Sequence, residues 1–309
     1  MKAEFPLGAI LMVITGGLVL GFQDALVKAS STYTSYWQFL AIRSTLNLIL
    51  VVLFSLIFFS TKALIPKSLI LVIIRSLLIG ICMICFFSGA VTLDFSLMIA
   101  GLYTYPLFIT IMAKPLLGEK LNFSRVSGLT LGILGSFFIL EPWRTEISYV
   151  QLLPICAGFI YACNIIFIKR FCAKESPMAL ETIRAIIFIL ISVLGIIYAE
   201  NILSASIKSE LHFISEGWPD ITSLIILICI VASISNLLGN ILIIKGYQKA
   251  DGSLLAPFDF LYLVFAVLWG RIFLSAWPSF FDFLGIILII LAGIISSLEV
   301  FKFRTIEPQ

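Results

Sequence analysis

Charge is what this chain has least of. Lysine, arginine, aspartate and glutamate together make up 12% of its 309 residues, against about a quarter in ordinary soluble domains. That scarcity excludes a water-soluble globule, and nucleic acid is not an expected partner. Histidine is almost absent: His212 is the sole copy, in a polar link. The HExxH, GxSxG and Walker patterns are missing, so the sequence lacks the motifs of zinc hydrolases, serine hydrolases and ATP-driven pumps. Cysteines are few, and all but Cys172 lie well inside apolar runs, where a thiol serves as a small packing group. Cys82 and Cys85 form a CxxC, but no second thiol pair or histidine cluster completes a metal site. Neither metal nor cofactor is expected. The alternation that builds a membrane β-barrel is missing too, because the apolar runs are continuous.

What the chain has is hydrophobic length. Apolar residues make up 61% of it, with a mean hydropathy of +1.15. Runs long enough to cross the roughly 30 Å of a bilayer core recur from end to end. They predict ten spans, at 7–26, 36–59, 69–91, 95–117, 126–140, 149–168, 178–199, 221–244, 254–274 and 280–300. The first run has no small-residue cleavage site and reads as a retained helix. Links are short except 200–220, which is polar and carries Trp218 and Pro219 where the chain re-enters the membrane. With the N-terminus placed inside, the inner side holds fourteen Lys and Arg residues and the outer side four: Lys28, Arg144, Lys208 and Arg271. Positive charge marks the cytoplasmic face, so both termini are expected there. That in turn requires an even number of spans. The expected fold is an all-α polytopic membrane protein with the lipid bilayer as solvent.

A weak internal repeat runs through these spans. At an offset of 141, Gly17, Lys28, Ser35, Ile42 and Arg43 fall on Gly158, Lys169, Ser176, Ile183 and Arg184. Further on the offset becomes 157, and Gly89, Asp94, Ser96 and Leu97 fall on Gly246, Asp251, Ser253 and Leu254. The change of offset fits the longer link between the seventh and eighth spans. Five spans per half is odd, so the second half must cross the membrane upside down. The expected division is 1–142 and 148–302, two inverted five-helix repeats, an architecture that secondary carriers use with the site at the repeat interface.

The candidate site residues are the polar groups that lipid would not tolerate. Arg43 and Arg184 lie inside spans, where a charge costs at least a few kcal/mol unless it faces protein, water or a partner. Glu181 stands one turn before Arg184 and offers an ion pair. Arg43 has no acid on its own helix, and Asp24 is one candidate partner. Either the arginines hold helices together, or they touch a solute. Asp24 is also one turn from Lys28, so it either pairs locally or meets a cationic group. Asp259 has no basic residue within a turn; it must find a partner elsewhere, titrate, or touch substrate. Tyr103, Tyr105 and Pro106 in the fourth span, and Pro257 and Tyr262 in the ninth, could wall a pocket beside bent helices. Tyr161 and Asn164 in the sixth add a ring and an uncharged hydrogen-bonding group, and Gln23, Asn236 and Asn240 add further amides.

At these residues the chain resembles the drug/metabolite transporter superfamily, in particular proteins with two EamA domains. The resemblance rests on Tyr105-Pro106 and Leu117-Gly118-Glu119 in the first half and Ala256-Pro257-Phe258-Asp259-Phe260 in the second. The Asp24 to Lys28 spacing and Arg43 also fit. One departure is visible: Ser275-Ala276 stands before Pro278 where a Gly-Glu is expected. The resemblance implies ten helices, a central cavity and alternating access, in a family whose members export amino acids or drugs or take up metabolites such as S-adenosylmethionine. The expected function is secondary transport of a small polar or charged metabolite across a bacterial inner membrane, with protons as an optional coupling ion. A non-transporting scaffold or receptor subunit and an intramembrane enzyme are the rivals.

Overall fold

The fold is taken from a computed structural model, which describes residues 7–58, 60–105, 108, 112, 116, 123–140, 149–172, 174–201, 212–249, 261–275 and 277–306. Everything regular in that set is helical. Among the described residues the longer helices are α1 (Leu7–Ser30), α2 (Tyr36–Phe58), α3 (Leu69–Ser88), α4 (Phe95–Leu102), α5 (Phe123–Leu140), α6 (Tyr149–Phe171), α7 (Pro177–Asn201), α8 (Ser223–Lys249), α9 (Leu261–Leu274) and α10 (Phe280–Ile306), with single helical turns at Thr61–Leu64 and His212–Ser215 in the links. Among the described residues, six are long and apolar enough to cross a membrane: α1, α2, α3, α6, α7 and α8. Shorter apolar stretches lie in α5, α9 and α10. The outward faces of the long helices carry leucine, isoleucine and phenylalanine, such as Ile57 on α2, Ile70 on α3 and Leu194 on α7, as a lipid-facing surface requires.

Helix packing follows a rule that the weak repeat only hinted at. The closest pairs are α5 with α10, α1 with α8, α2 with α7, α3 with α6, α1 with α9 and α4 with α6. Pairs α2 with α8, α3 with α7 and α4 with α9 follow. Replace each helix by the one five places along, and this set maps onto itself. The glycines that the repeat aligns occupy equivalent places: Gly17 lies against Tyr262 of α9, and Gly158 lies against the Gly101 and Leu102 carbonyls of α4. Where α1 crosses α8, a Cβ on Gly16 would sit 2.7 Å from Ile243 Cγ1 and 3.0 Å from the Gly239 carbonyl oxygen. Small residues let two backbones approach this closely, which is the main source of helix association in lipid.

The links are braced in the same paired way. Ser35 Oγ donates to the Gly217 carbonyl at 2.6 Å, Trp37 Nε1 donates to the Ile214 carbonyl at 2.7 Å, and Gln38 Nε2 donates to the Pro219 carbonyl. These bonds tie the start of α2 to the link before α8. At the equivalent position in the other half, the Glu175 carboxylate accepts from the backbone N–H groups of Lys67 and Ser68, both at 2.8 Å, and so caps the entry to α3.

Two departures from the expected spans affect the site. The expected span 95–117 is interrupted: helix α4 ends at Leu102, Tyr103 and Thr104 form a turn, and the described residues beyond it, Tyr105, Phe108, Met112 and Leu116, are helical again. Proline has no N–H, so Pro106 has nothing to donate to the Leu102 carbonyl four residues back. Helix α1 runs on to Ser30, which places Lys28 in its last turn. Ser275, just past α9, sits at φ 51°, the left-handed region that favours glycine.

Candidate functional site

Seven helices converge on one closed circuit of polar and aromatic side chains. It starts at Asp24 on α1, whose carboxylate accepts from Gln23 Nε2 at 2.6 Å and from the Tyr262 hydroxyl of α9. Gln23 turns its amide oxygen to α8, accepting from Asn236 Nδ2 at 2.7 Å. Asn236 Oδ1 in turn accepts from Arg184 Nη2 of α7 at 2.8 Å. The same Nη2 makes the ion pair with Glu181, three residues earlier. This half of the circuit is a chain of charge and amide groups across α9, α1, α8 and α7.

The other half is tyrosine. Tyr262 stacks on Tyr103 with ring centroids 5.3 Å apart and an interplanar angle of 20°. Tyr103 meets Tyr105 edge to face at 5.5 Å, and Tyr105 meets Tyr161 of α6 at 5.0 Å. The break after α4 is what turns Tyr103 and Tyr105 toward each other, because two residues i and i+2 in a continuous helix point to different faces. Arg75 of α3 closes the circuit, within electrostatic reach of Tyr161 on one side and of Glu181 and Arg184 on the other.

Arg43 stands beside this ring on α2. Its carbonyl accepts from Ser233 Oγ of α8 at 3.2 Å, one turn from Asn236, so Arg43 and Arg184 rest on adjacent turns of the same helix. Its guanidinium lies over the Phe39 ring at 5.6 Å and within electrostatic reach of Arg184, Tyr36 and Asp24. Arg184 lies similarly over Phe188, at 5.5 Å.

The structure thus gathers Asp24, Arg43, Tyr103, Tyr105, Tyr161, Arg184 and Tyr262 in one place. Asn164 is buried on α6, and its Oδ1 has no hydrogen-bond partner among the described residues. Asp259, with Pro106, Glu119 and the Ala256–Phe260 run, lies outside the described residues. Two readings change. Asp24 does not take Lys28 as its partner; Lys28 Nζ instead donates to the Ala90 and Leu93 carbonyls past the end of α3. Arg75, one of the fourteen charges assigned to the inner side, buries its Nε and Nη1 atoms. Its place within an otherwise apolar run was the available signal. Of the two asparagines on α8, Asn236 ties that helix to α1 and α7, while Asn240 Nδ2 donates to the Asn236 carbonyl at 2.8 Å within it.

A polytopic helical bundle that excludes lipid from a polar, aromatic centre is the arrangement of a membrane transporter for small metabolites. The chain belongs to the EamA-like transporter family, whose sequence profile matches residues 7–141 and again 148–298. It is similar to a riboflavin transporter of Vibrio cholerae, 29% identical over 194 residues, which are 63% of this chain and 59% of that protein. The matched region therefore spans less than two thirds of the length of that relative. An uncharacterised transporter of Helicobacter pylori is 21% identical over 295 residues, 94% of each chain. One solved crystal structure superimposes with a TM-score of 0.65 at 18% identity, covering 96% of this chain and 98% of the other, and so shares the fold.

Proposed function

We propose that this protein is a secondary carrier for a small polar or charged organic metabolite with a planar portion, working by alternating access in a bacterial inner membrane. Two five-helix halves of opposite orientation, 1–142 and 148–302, rock about the central circuit. Asp24, Arg43, Asn164, Arg184 and Asp259 supply its polar contacts, and Tyr103, Tyr105, Tyr161 and Tyr262 supply its stacking faces. The observation that carries this reading is the circuit itself. Seven helices meet on it, and four of them, α1, α3, α7 and α8, bring charged and amide groups that a merely structural bundle would bury at a cost of a few kcal/mol each. The tyrosine half offers flat surfaces of the kind that amino acids with rings, nucleosides and S-adenosylmethionine-like solutes would use. The resemblance to proteins named riboflavin transporters supports a planar solute.

The test is uptake by proteoliposomes containing the purified full chain, screened against a metabolite mixture with and without an imposed pH gradient. Accumulation of at least one planar metabolite, reduced by R184A and D259N, is the expected result. No flux for any solute in either condition would make the protein a scaffold or receptor subunit instead. Stimulation by the gradient would identify protons as the coupling ion.

A further inference from the structure

The circuit is rich in cationic donors with nothing to hold. Arg43 Nε, Arg75 Nε, Arg75 Nη1 and Arg184 Nε are all buried without a hydrogen-bond partner among the described residues. Each such donor forfeits its bonds to water, and for a charged group that loss exceeds the cost for a neutral one. Arg184 also stands within electrostatic reach of both Arg43 and Arg75, like charge facing like. Against them, the acids that the described residues bring into the circuit are Asp24 and Glu181. Asp24 is engaged by Gln23 and Tyr262, and Glu181 by Arg184.

The internal repeat shows that this imbalance is built in. Arg184 is neutralised by Glu181 and donates a hydrogen bond to Asn236. The residues at the equivalent places around Arg43, at offsets of 141 and 157, are Leu40 and Ile79, both buried and apolar. Among the described residues, Arg43 has neither an ion pair nor an amide like those of Arg184. Arg75 has Ala232 as its equivalent, so it too adds charge on one side only.

We infer that Arg43, Arg75 and Arg184 form a binding site for an anionic group, a carboxylate or phosphate, carried by the transported solute. This rests on the carrier reading and narrows its substrate class. A carboxylate or phosphate offers several acceptor lone pairs to planar guanidinium forks, the pairing for which arginine is better suited than lysine. Arg75 is within electrostatic reach of Tyr161, so an anion held there places an attached ring toward the tyrosine ladder. The solute expected is a planar ring system bearing an acid.

The test uses the full chain in lipid nanodiscs and pairs of probes that differ in one anionic group. The pairs are riboflavin 5′-phosphate with riboflavin, adenosine 5′-monophosphate with adenosine, and tryptophan with tryptophanamide. Binding is read by equilibrium dialysis for wild type, R75Q, R75K and R43Q. At least one anionic probe should bind about tenfold or more tightly than its neutral or cationic mate, the worth of about one charge-assisted hydrogen bond. R75Q and R43Q should each reduce that preference to about twofold or less, and R75K should keep part of it. A preference in the phosphate pairs or in the carboxylate pair identifies the source of the anion. R43Q removes a guanidinium that makes no ion pair among the described residues, so it keeps the test open if R75Q fails to fold. Equal affinity within every pair, no binding of any anionic probe, or a preference unchanged in folded R75Q and R43Q would overturn the inference. Uptake of neutral members by both wild type and R75Q proteoliposomes would leave the carrier reading standing without the anion site. Selective binding of an anionic probe with no flux would do the reverse.

Discussion

The hydrogen bond between the Tyr262 hydroxyl and the Asp24 carboxylate joins α9 to α1 across 238 residues of sequence, and a double-mutant cycle measures it in isolation. Y262F removes one hydroxyl and leaves the ring where it stacks on Tyr103. D24A removes the carboxylate that accepts its hydrogen bond. Between helices in a membrane, neutral hydrogen bonds measured this way average about 0.6 kcal/mol and reach about 1.7. Bonds to a charged group run at about 1.5–3 kcal/mol. Asp24 is shielded from lipid and shares its other oxygen with Gln23, so a coupling near the overlap, about 1.5 kcal/mol, is expected. The assay is reversible unfolding of the purified protein in mixed micelles, titrated with SDS, for wild type, both single variants and the double variant. The double variant should be more stable than the sum of the single effects implies, because the second change removes a partner already lost. A coupling below about 0.3 kcal/mol, within the error of additivity for independent sites, would show that these side chains do not meet and would dismantle the circuit at its α1 to α9 joint.

Other consequences follow from single contacts. Ser275 occupies the left-handed region at φ 51°, so S275G should stabilise the protein by about 1 kcal/mol, read as a higher midpoint in the same titration; a lower midpoint would refute the conformational assignment. G16V should abolish a monodisperse peak in size-exclusion chromatography, since its Cβ would stand 2.7 Å from Ile243 Cγ1 and 3.0 Å from the Gly239 carbonyl oxygen, and neither backbone can give way cheaply. Normal elution of G16V would contradict the α1 to α8 crossing. Cysteines at Tyr33 and Lys174, which are exposed in the equivalent links before α2 and α7, should be labelled from opposite sides of the membrane by an impermeant maleimide. Labelling from one side would end the inverted-repeat reading.

How much of this was legible without coordinates depends on the range of each interaction. The spans of α1, α2, α3, α6, α7 and α8 follow from unbroken apolar runs, a local property. The Arg184 to Glu181 pair follows from helical spacing. The break at Tyr103 and Thr104 was written in Pro106, whose missing N–H acts four residues upstream, yet the continuous hydropathy of the run concealed it. Lys28 was misread for a different reason. Its spacing from Asp24 satisfies the rule for a local pair, but α1 continues past it and presents Nζ to carbonyls at the end of α3. Tyr262 finds Asp24, and Asn236 finds Gln23, each across more than two hundred residues, and no periodicity reports such a meeting. Arg75 was hidden by ambiguity of depth. One and a half to two turns into a span, a long side chain can reach the surface or turn inward, and Glu181 on another helix decides between them.

Symmetric packing combined with asymmetric charge leads to one further expectation. If the two halves exchange roles as the carrier opens to either side, helix contacts that map onto themselves let both states be packed equally well. Polar groups that do not map onto themselves then separate the states. Arg184 has its acid and its amide, and the Arg184 and Glu181 side chains are only 12% and 8% exposed. R184A would leave Glu181 buried without its cation, a loss of about 3–5 kcal/mol for pairs of this kind. Arg43 has Leu40 and Ile79 where those partners would be, and its guanidinium rests on Phe39. R43A therefore removes a charge whose burial nothing among the described residues offsets by an ion pair, and stability should change by less than about 1 kcal/mol while uptake falls. Measured side by side in the same unfolding titration, the two alanine variants should differ by at least about 2 kcal/mol. Equal losses would mean that Arg43 is held as firmly as Arg184, by groups that the circuit does not contain. An arginine so held would be a structural tie, leaving the first half with no unsatisfied cation to offer a solute.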